Sequence, residues 1–294
     1  MLTADSHVHS EWSWGTGGPD STARGTMVMT CERAVRIGLP ALIFTEHLDF
    51  DQAWRAGADE FPVTDREHIN ADGYLVPPQL DVPGYFEAIG QCRRQFPRLT
   101  ILSGVEFGQP HLFEGRARQL VDLGRFDRIN GSLHTLPIGQ DRAEPITLYR
   151  TWAPDDVLWA YLEEVPRMVE GSAAFEVFTH LGYAVRHWPT EQAGPFNPRR
   201  FEEGFRSAMR SIAGSGRALE MNTRCLWPWI PQWWRGRGAG RVALRYDTSS
   251  TPIRSSPSSR LLFQLFPDDP LHDDGEILLT REGATTATGS PRRR

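Results

Sequence analysis

The chain contains no lysine: all 32 of its basic residues are arginine. That absence excludes Schiff-base catalysis and a P-loop lysine, leaving arginine, backbone amides or metal to hold any anion. Cysteine is nearly as scarce. Cys31, Cys92 and Cys225 are scattered singly, which gives neither a metal–cysteine motif nor a disulfide framework and fits a reducing compartment. No apolar run approaches the roughly 20 residues needed to cross a bilayer, so no membrane partner is expected. Met1–His9 lacks a basic stretch followed by an apolar one, so no secretory signal is expected and the location read from the sequence is cytoplasmic. A strong charge of either sign is also missing. The formal net charge of -5 argues against nucleic acid or an anionic membrane as partner.

What is present is a patterned α/β sequence of 294 residues, 39% of them hydrophobic, which is enough for a sizeable core. Short runs read as strands at Leu2–His9, Pro40–His47, Thr100–Phe107, Asp127–His134, Phe175–His180 and Arg217–Asn222, with Arg241–Tyr246 a candidate seventh. Helix-like stretches lie between them at Thr26–Ile37, Val82–Arg94, Gly115–Leu123, Asp155–Val169 and Pro198–Ala213. Strands alternating with helices imply a parallel sheet with crossovers, and about seven such units suggest a closed or distorted β/α barrel. Gly15–Gly25 and Asp51–Pro78 read as long surface insertions. From about Gly236 onward the chain turns rich in Ser, Thr, Arg, Pro and Gly, and poor order is expected over much of that tail.

The polar residues fall at particular places in this pattern. His9, His47, Glu106, His134, His180 and Asn222 each close a strand-like run. In a parallel barrel those carboxyl ends converge on one face, where barrel enzymes build their sites. In Asp5-Ser-His7-Val-His9, alternate side chains share a face, so two imidazoles could hold one divalent ion and the carboxylate could orient one of them. A histidine pair at this spacing, taken alone, is more often a surface feature. His47, His134 and His180 are each weak signals alone, and Glu106 is a carboxylate closing an apolar strand. Five histidines and a glutamate at or near strand ends together point to a metal cluster. Trp12 and Trp14 flank the first motif and could wall a pocket, whereas Trp227, Trp229, Trp233 and Trp234 read as packing of a later helix.

The ordered set DxHxH, TEH, GVE, GSLH, a strand-end histidine and LEMN resembles the PHP (polymerase and histidinol phosphatase) superfamily. Within it, HSEWSW, GLPALIFTEHLDF, DRINGSLHTLP, GPFNP and RALEMNT resemble the histidinol-phosphatases, over Ala4 to about Gly240. The resemblance implies a distorted (β/α)7 barrel with its metal site at the carboxyl ends of the strands. It implies one such domain over 1–240, followed by an atypical segment at 241–294. One to three divalent ions (Zn, Mn or Fe) are expected. His7, His9 and Glu106 would bind the first, with Glu106 bridging to a second completed by His134 and His180, and His47 would serve a third. His47 and Glu106 are the expected catalytic residues, Glu220 and Asn222 would support the site, and Arg186 is the candidate phosphate contact.

The departures are equally specific. The family closes its seventh strand with Gly-Ser-Asp-x-His, and this chain has Arg245-Tyr-Asp-Thr-Ser-Ser250 instead. Asp247 lies about one residue from the expected aspartate, His272 is too far along to be assumed a replacement, and Gly15 offers no ligand where relatives commonly place one. Gly182 also stands where close relatives often have aspartate. The resemblance stops abruptly between Gly236 and Arg245, as a change of reading frame in GC-rich DNA would leave it. The function implied is metal-dependent hydrolysis of a phosphate monoester, with L-histidinol phosphate as substrate in histidine biosynthesis. Two other readings stay open: a PHP phosphoesterase acting on nucleotides or oligonucleotide ends, and an impaired metal-binding relic. Oligomeric state is not readable from the sequence.

Overall fold

Amphipathic stretches form the long helices of this chain, and short apolar runs form its strands. Its computed structural model describes residues 4–16, 25–61, 65–222, 230 and 241–245. The first half comprises β1 (Asp5–Val8), α1 (Met27–Ile37), β2 (Ala41–Leu48), β3 (Trp54–Arg55), β4 (Tyr74–Leu75), α2 (Val82–Gln95), β5 (Thr100–Gly108) and α3 (Pro110–Leu120). There follow β6 (Arg128–Ser132), β7 (Leu136–Ile138), β8 (Asp141–Ala143), α4 (Pro145–Leu148), α5 (Pro154–Gly171) and β9 (Val177–Phe178). The last are α6 (Tyr183–Arg186), α7 (Thr190–Ala193), α8 (Glu202–Gly214), β10 (Ala218–Asn222) and β11 (Arg241–Arg245). The first long helix shows how local chemistry sets the boundaries. The Thr26 hydroxyl accepts the Met29 N–H, and Gly38 ends α1 at φ 76°, a left-handed conformation that favours glycine.

Seven strands form one all-parallel sheet in the order β1-β2-β5-β6-β9-β10-β11. β1 and β11 come near each other at its two edges without a hydrogen-bonded ladder between them. The architecture is therefore the distorted (β/α)7 barrel that the alternating pattern implied. The seventh strand falls at 241–245, inside the tail, and pairs with β10 residue for residue from Ala218↔Arg241 to Asn222↔Arg245. The rest of that tail, with Asp247 and His272, lies outside the described residues, as do Trp227, Trp229, Trp233 and Trp234.

Two elements differ from the sequence reading. The third helix begins at Pro110, not Gly115. Gln109 turns the chain at φ 44°, and proline is well tolerated at a first helical position, where its missing N–H costs nothing. The stretch after β2, read as a surface insertion, contributes β3 and β4 to a second sheet of four short strands ordered β4-β3-β8-β7. Strands of two or three residues carry no readable period, so only tertiary pairing reveals them.

The long helices α5 and α8 each bury one stripe against the barrel. In α5 this is Val157, Leu158, Tyr161, Leu162, Val165 and Met168, and in α8 it is Phe205, Ala208, Met209 and Ile212. Spacings of three and four place each set on one helix face. An ion pair staples α3 to α5: His111 Nε2 lies 2.9 Å from Glu164 Oε1, with both side chains under one-tenth exposed. The His111 bond, opposed by burial and helped by Arg167, holds the Glu164 carboxyl at a pKa of about 2.

A carboxyl whose folded pKa is depressed stabilises the fold above its unfolded pKa and loses that contribution as pH falls towards the folded value. Glu164→Gln is therefore expected to cost about 1–3 kcal/mol at neutral pH, with the gap to wild type closing between about pH 4 and pH 2. Thermal unfolding of both proteins across that interval checks this, and a gap that stays constant would contradict it.

Candidate metal centre

The parallel register builds the site. β2 and β5 pair with His47 opposite Glu106, and β5 and β6 pair with Glu106 opposite Asn130 and Gly108 opposite Ser132. Residues two apart on a strand share a face, so His47, Glu106 and Ser132 all look towards one carboxyl-end cavity. β1 has an irregular register between Asp5 and Val8, and it delivers both His7 and His9.

The meeting point is the Glu106 carboxylate, 1% exposed. Its Oε2 lies 2.9 Å from His7 Nε2, 3.0 Å from His9 Nε2 and 3.7 Å from His47 Nδ1. Its Oε1 lies 3.1 Å from His134 Nε2 and 2.6 Å from His180 Nε2, and accepts the Ser132 hydroxyl at 2.5 Å. All five histidines singled out in the sequence thus converge on one buried carboxylate. Their grouping differs from the family expectation in two respects. The atoms that approach closely enough to share an ion form two sets, His7–His9–Glu106 and His47–Glu106–His134. His180, 2.6 Å from Glu106 Oε1, falls in neither set, and His47 stands with the second set rather than apart. The direct His47↔Glu106 register is the reason.

A second layer holds these rings. Glu220 Oε2 lies 2.5 Å from His7 Nδ1, reached from β10 across the barrel. Ser13 donates to Glu46 Oε2 at 2.7 Å, accepts the His47 N–H at 2.9 Å and sits 3.1 Å from His9 Nδ1. Glu46 also accepts the Ser10 N–H and hydroxyl at 2.9 and 2.6 Å, which pins the loop after β1. Burial drives the Glu46 carboxyl up to a pKa of about 7. With its amide oxygen turned to the loop, Gln109 accepts the His134 and Thr135 N–H groups at 3.1 and 2.5 Å. His180 takes φ 27°, a strained conformation for a non-glycine residue. Tyr183 N–H and the Tyr161 hydroxyl hold its carbonyl at 2.7 and 3.4 Å. Strain over-determined by its surroundings is frequent at functional sites.

Several expected partners sit elsewhere. Asp5 accepts the His7 backbone N–H at 3.3 Å, and the carboxylate on the His7 ring is that of Glu220. The bulge in β1 breaks the strict alternation on which the Asp5 reading relied. Trp14 does wall the site, its ring 5.3 Å from His47, whereas Trp12 packs over α2 at Gly84. Arg186 is exposed at the end of α6, and no hydrogen bond or ion pair ties it to the cluster. The side chain of Asn222 lies outside the described residues. A side chain at Gly15 would face His47 Nε2 at 3.7 Å from its Cβ, so glycine itself offers no ligand there.

Three site residues were not singled out in the sequence. Asp49 lies 3.5 Å from both His47 Nδ1 and His134 Nδ1 and accepts the Trp14 indole N–H at 2.9 Å. Trp54, fully buried, stands 6.1 Å from the His134 ring, and Tyr183 stands 5.0 Å from the His180 ring. Alternation along Thr-Glu-His47-Leu-Asp49 would have found Asp49, because it shares a strand face with His47. Trp54 and Tyr183 have no such local signal.

The electrostatics suit a cation. Burial would raise the Glu106 pKa, but His7, His47 and the other imidazoles hold it well below the usual carboxylate range. Burial and neighbouring imidazoles keep His9 well below its ordinary value. Burial likewise lowers His47 and His180. His134 differs: burial opposes its charge, yet Asp49 and Glu106 lift it to about 10. Neutral imidazoles present lone pairs. His7 Nε2 and His9 Nε2 are 3.2 Å apart, each about 3 Å from the same carboxylate oxygen. That spacing matches ligands sitting about 2.0–2.2 Å from a common ion. The ring Nδ1 atoms of His47, His134 and His180 are buried without a hydrogen bond. Imidazole and carboxylate donors in this proportion fit a divalent transition metal.

A carboxylate behind a ligating imidazole fixes its tautomer and raises its basicity. Glu220→Gln is expected to weaken metal affinity about 10–100-fold, in addition to a loss of about 1–3 kcal/mol in the stability of the metal-free protein. Chelator-competition titration together with a thermal melt decides it, and unchanged affinity would remove Glu220 from the site.

The sequence profile of the PHP domain family matches residues 5–224. Compared with curated proteins by sequence, the chain has no significant match. Among solved structures it is similar to the histidinol phosphate phosphatase of Lactococcus lactis subsp. lactis Il1403, a complex with zinc, L-histidinol and phosphate. Identity is 22% and the TM-score 0.69, over 90% of this chain and 92% of that one. It is also similar to a protein described as a candidate histidinol phosphatase from Listeria monocytogenes. There identity is 16% and the TM-score 0.62, over 83% of this chain and 93% of that one. At such identities these likenesses concern the fold.

Proposed function

This chain belongs to the PHP domain family, and from that premise we propose that it hydrolyses phosphate monoesters with bound divalent metal, converting L-histidinol phosphate to L-histidinol and phosphate. The observation that carries the reading is the convergence of five imidazoles on the two oxygens of buried Glu106. Zinc, L-histidinol and phosphate accompany the Lactococcus lactis protein, which supports the choice of metal and of alcohol. The reading places the chain in cytoplasmic histidine biosynthesis, and no described helix is long and apolar enough to cross a membrane.

Divalent ions bound here would supply Lewis acidity and lower the pKa of water into the neutral range. The protein's own part is to hold and orient. Glu106 bridges two half-sites, His7 and His9 on Oε2, His134 and His180 on Oε1, with His47 closing the second. His47 and Glu106 are the proposed catalytic pair: Glu106 joins the half-sites, and His47 faces both its Oε2 at 3.7 Å and the His9 ring of the first half-site at 4.5 Å. Trp14, Trp54 and Tyr183 give the cavity apolar walls that limit water. Arg186 is the proposed phosphate contact: its exposed guanidinium acts electrostatically on Tyr183, which borders His180, and it suits bidentate binding of a phosphoryl group.

A second reading has a specific observation behind it. Gly15, whose Cβ position lies 3.7 Å from His47 Nε2, brings no ligand of its own, and Arg245-Tyr-Asp-Thr-Ser-Ser250 replaces the family's last ligand motif. Both fit a copy that keeps metal but has lost turnover.

Metal analysis combined with phosphate release from L-histidinol phosphate, p-nitrophenyl phosphate and a mononucleotide separates these readings. The expected result is at least two ions per chain, preference for L-histidinol phosphate, loss of activity with chelator and its return with added metal. Glu106→Gln should lower ion content and turnover by at least about a hundredfold. Preference for the nucleotide would move the assignment to another phosphoesterase of the family. Ion uptake without phosphate release would identify the impaired copy, and absence of ion uptake would overturn both.

A further inference from the structure

We propose that Asp49 is a positioning residue for the second half-site, holding the Nδ1 side of His134 so that Nε2 faces Glu106 and the ion. The proposal rests on the metal-binding reading above and adds a residue to it.

Asp49 is 3% exposed and is fixed on both sides. Its Oδ2 accepts the Trp14 indole N–H at 2.9 Å, which sets the plane of the carboxylate. Its Oδ1 lies 3.5 Å from His134 Nδ1. Neither of these two buried atoms has a hydrogen bond, and each is the chemical complement of the other. Leaving such a donor and acceptor unmade costs more than the bond itself is worth. A closure of about 0.5 Å reaches ordinary hydrogen-bond length, and contacts of this kind commonly tighten once a site is loaded.

Room for the carboxylate is itself built in. A Cβ on Gly108 would stand 1.9 Å from Asp49 Oδ1, so only glycine at that point of β5 admits it. The contact lies on the ring edge of His134 remote from Glu106, whose Oε1 faces Nε2 at 3.1 Å. Asp49 therefore acts through the ring. The same construction occurs across the site, where Glu220 sits on His7 Nδ1 at 2.5 Å while His7 Nε2 faces Glu106 Oε2 at 2.9 Å. Two carboxylate-backed imidazoles thus flank Glu106, one per oxygen, and each would tune the half-site it serves.

The test is Co²⁺ titration of the metal-stripped full chain, followed by visible absorption and by chelator competition, for wild type, Asp49→Asn, Trp14→Phe and Glu220→Gln. Wild type should fill two phases. Asp49→Asn should weaken one phase about 10–100-fold and leave the other at its wild-type affinity, whereas Glu220→Gln should weaken the phase that Asp49→Asn spares. Trp14→Phe, which keeps the carboxylate but frees its plane, should weaken the Asp49 phase by a smaller factor. A purely structural role would lower both phases together, and that result would overturn the proposal. So would an Asp49→Asn titration that superimposes on wild type. Should Asp49→Asn not fold, Trp14→Phe decides: an unchanged phase overturns the proposal. A wild-type chain that binds no Co²⁺ would overturn the metal reading and this proposal with it.

Discussion

A single buried carboxylate organises the active end of this barrel. Removing Glu106 from water is costly unless positive or hydrogen-bonding groups surround it. Here five imidazoles and the Ser132 hydroxyl do so. The requirement is mutual. Several histidines packed this closely repel one another when protonated, so burial and their neighbours keep His9, His47 and His180 towards the neutral form. A site that is anionic at its centre, with three of the surrounding imidazoles held towards the neutral form, is arranged to receive a cation.

The rest of the fold serves that arrangement. Parallel pairing of β2, β5 and β6 sets His47, Glu106 and Ser132 on neighbouring strands facing the same way. The loop after β1 is tied to Glu46 through Ser10 and Ser13, and Ser13 also reaches His9 and the His47 backbone. The small second sheet closes one side. Trp54 from β3 meets the Trp14 ring edge-on and lies tilted against the His134 ring, and Arg142 from β8 donates to Thr135 beside His134 at 2.9 Å. None of these groups carries chemistry alone; each restricts where a metal-binding ring can point.

Much of this was legible in the residues. Apolar runs closing on His9, His47, Glu106, His134 and His180 announced both the parallel barrel and its functional end, because strand ends are where such a fold gathers side chains. The ordered motifs then supplied the family. What escaped was non-local. In the sequence Glu220 reads only as a supporting residue, and nothing in Leu-Glu-Met-Asn says that it reaches His7. The short strands β3, β4, β7 and β8 exist only by pairing with one another. The early start of α3 depends on Gln109 turning the chain at φ 44° just before Pro110. Asp49 was in plain view two residues after His47, but its use depends on Gly108 leaving space on the next strand.

The central claim is that Glu106 bridges two ions. It is tested most directly by anomalous diffraction from crystals of the zinc-loaded protein at the zinc absorption edge. The account predicts two peaks about 3.5–4 Å apart, one beside His7, His9 and Oε2, the other beside His134, His180 and Oε1. A zinc-loaded crystal with no peak at Glu106, or with one ion held without that carboxylate, would contradict it.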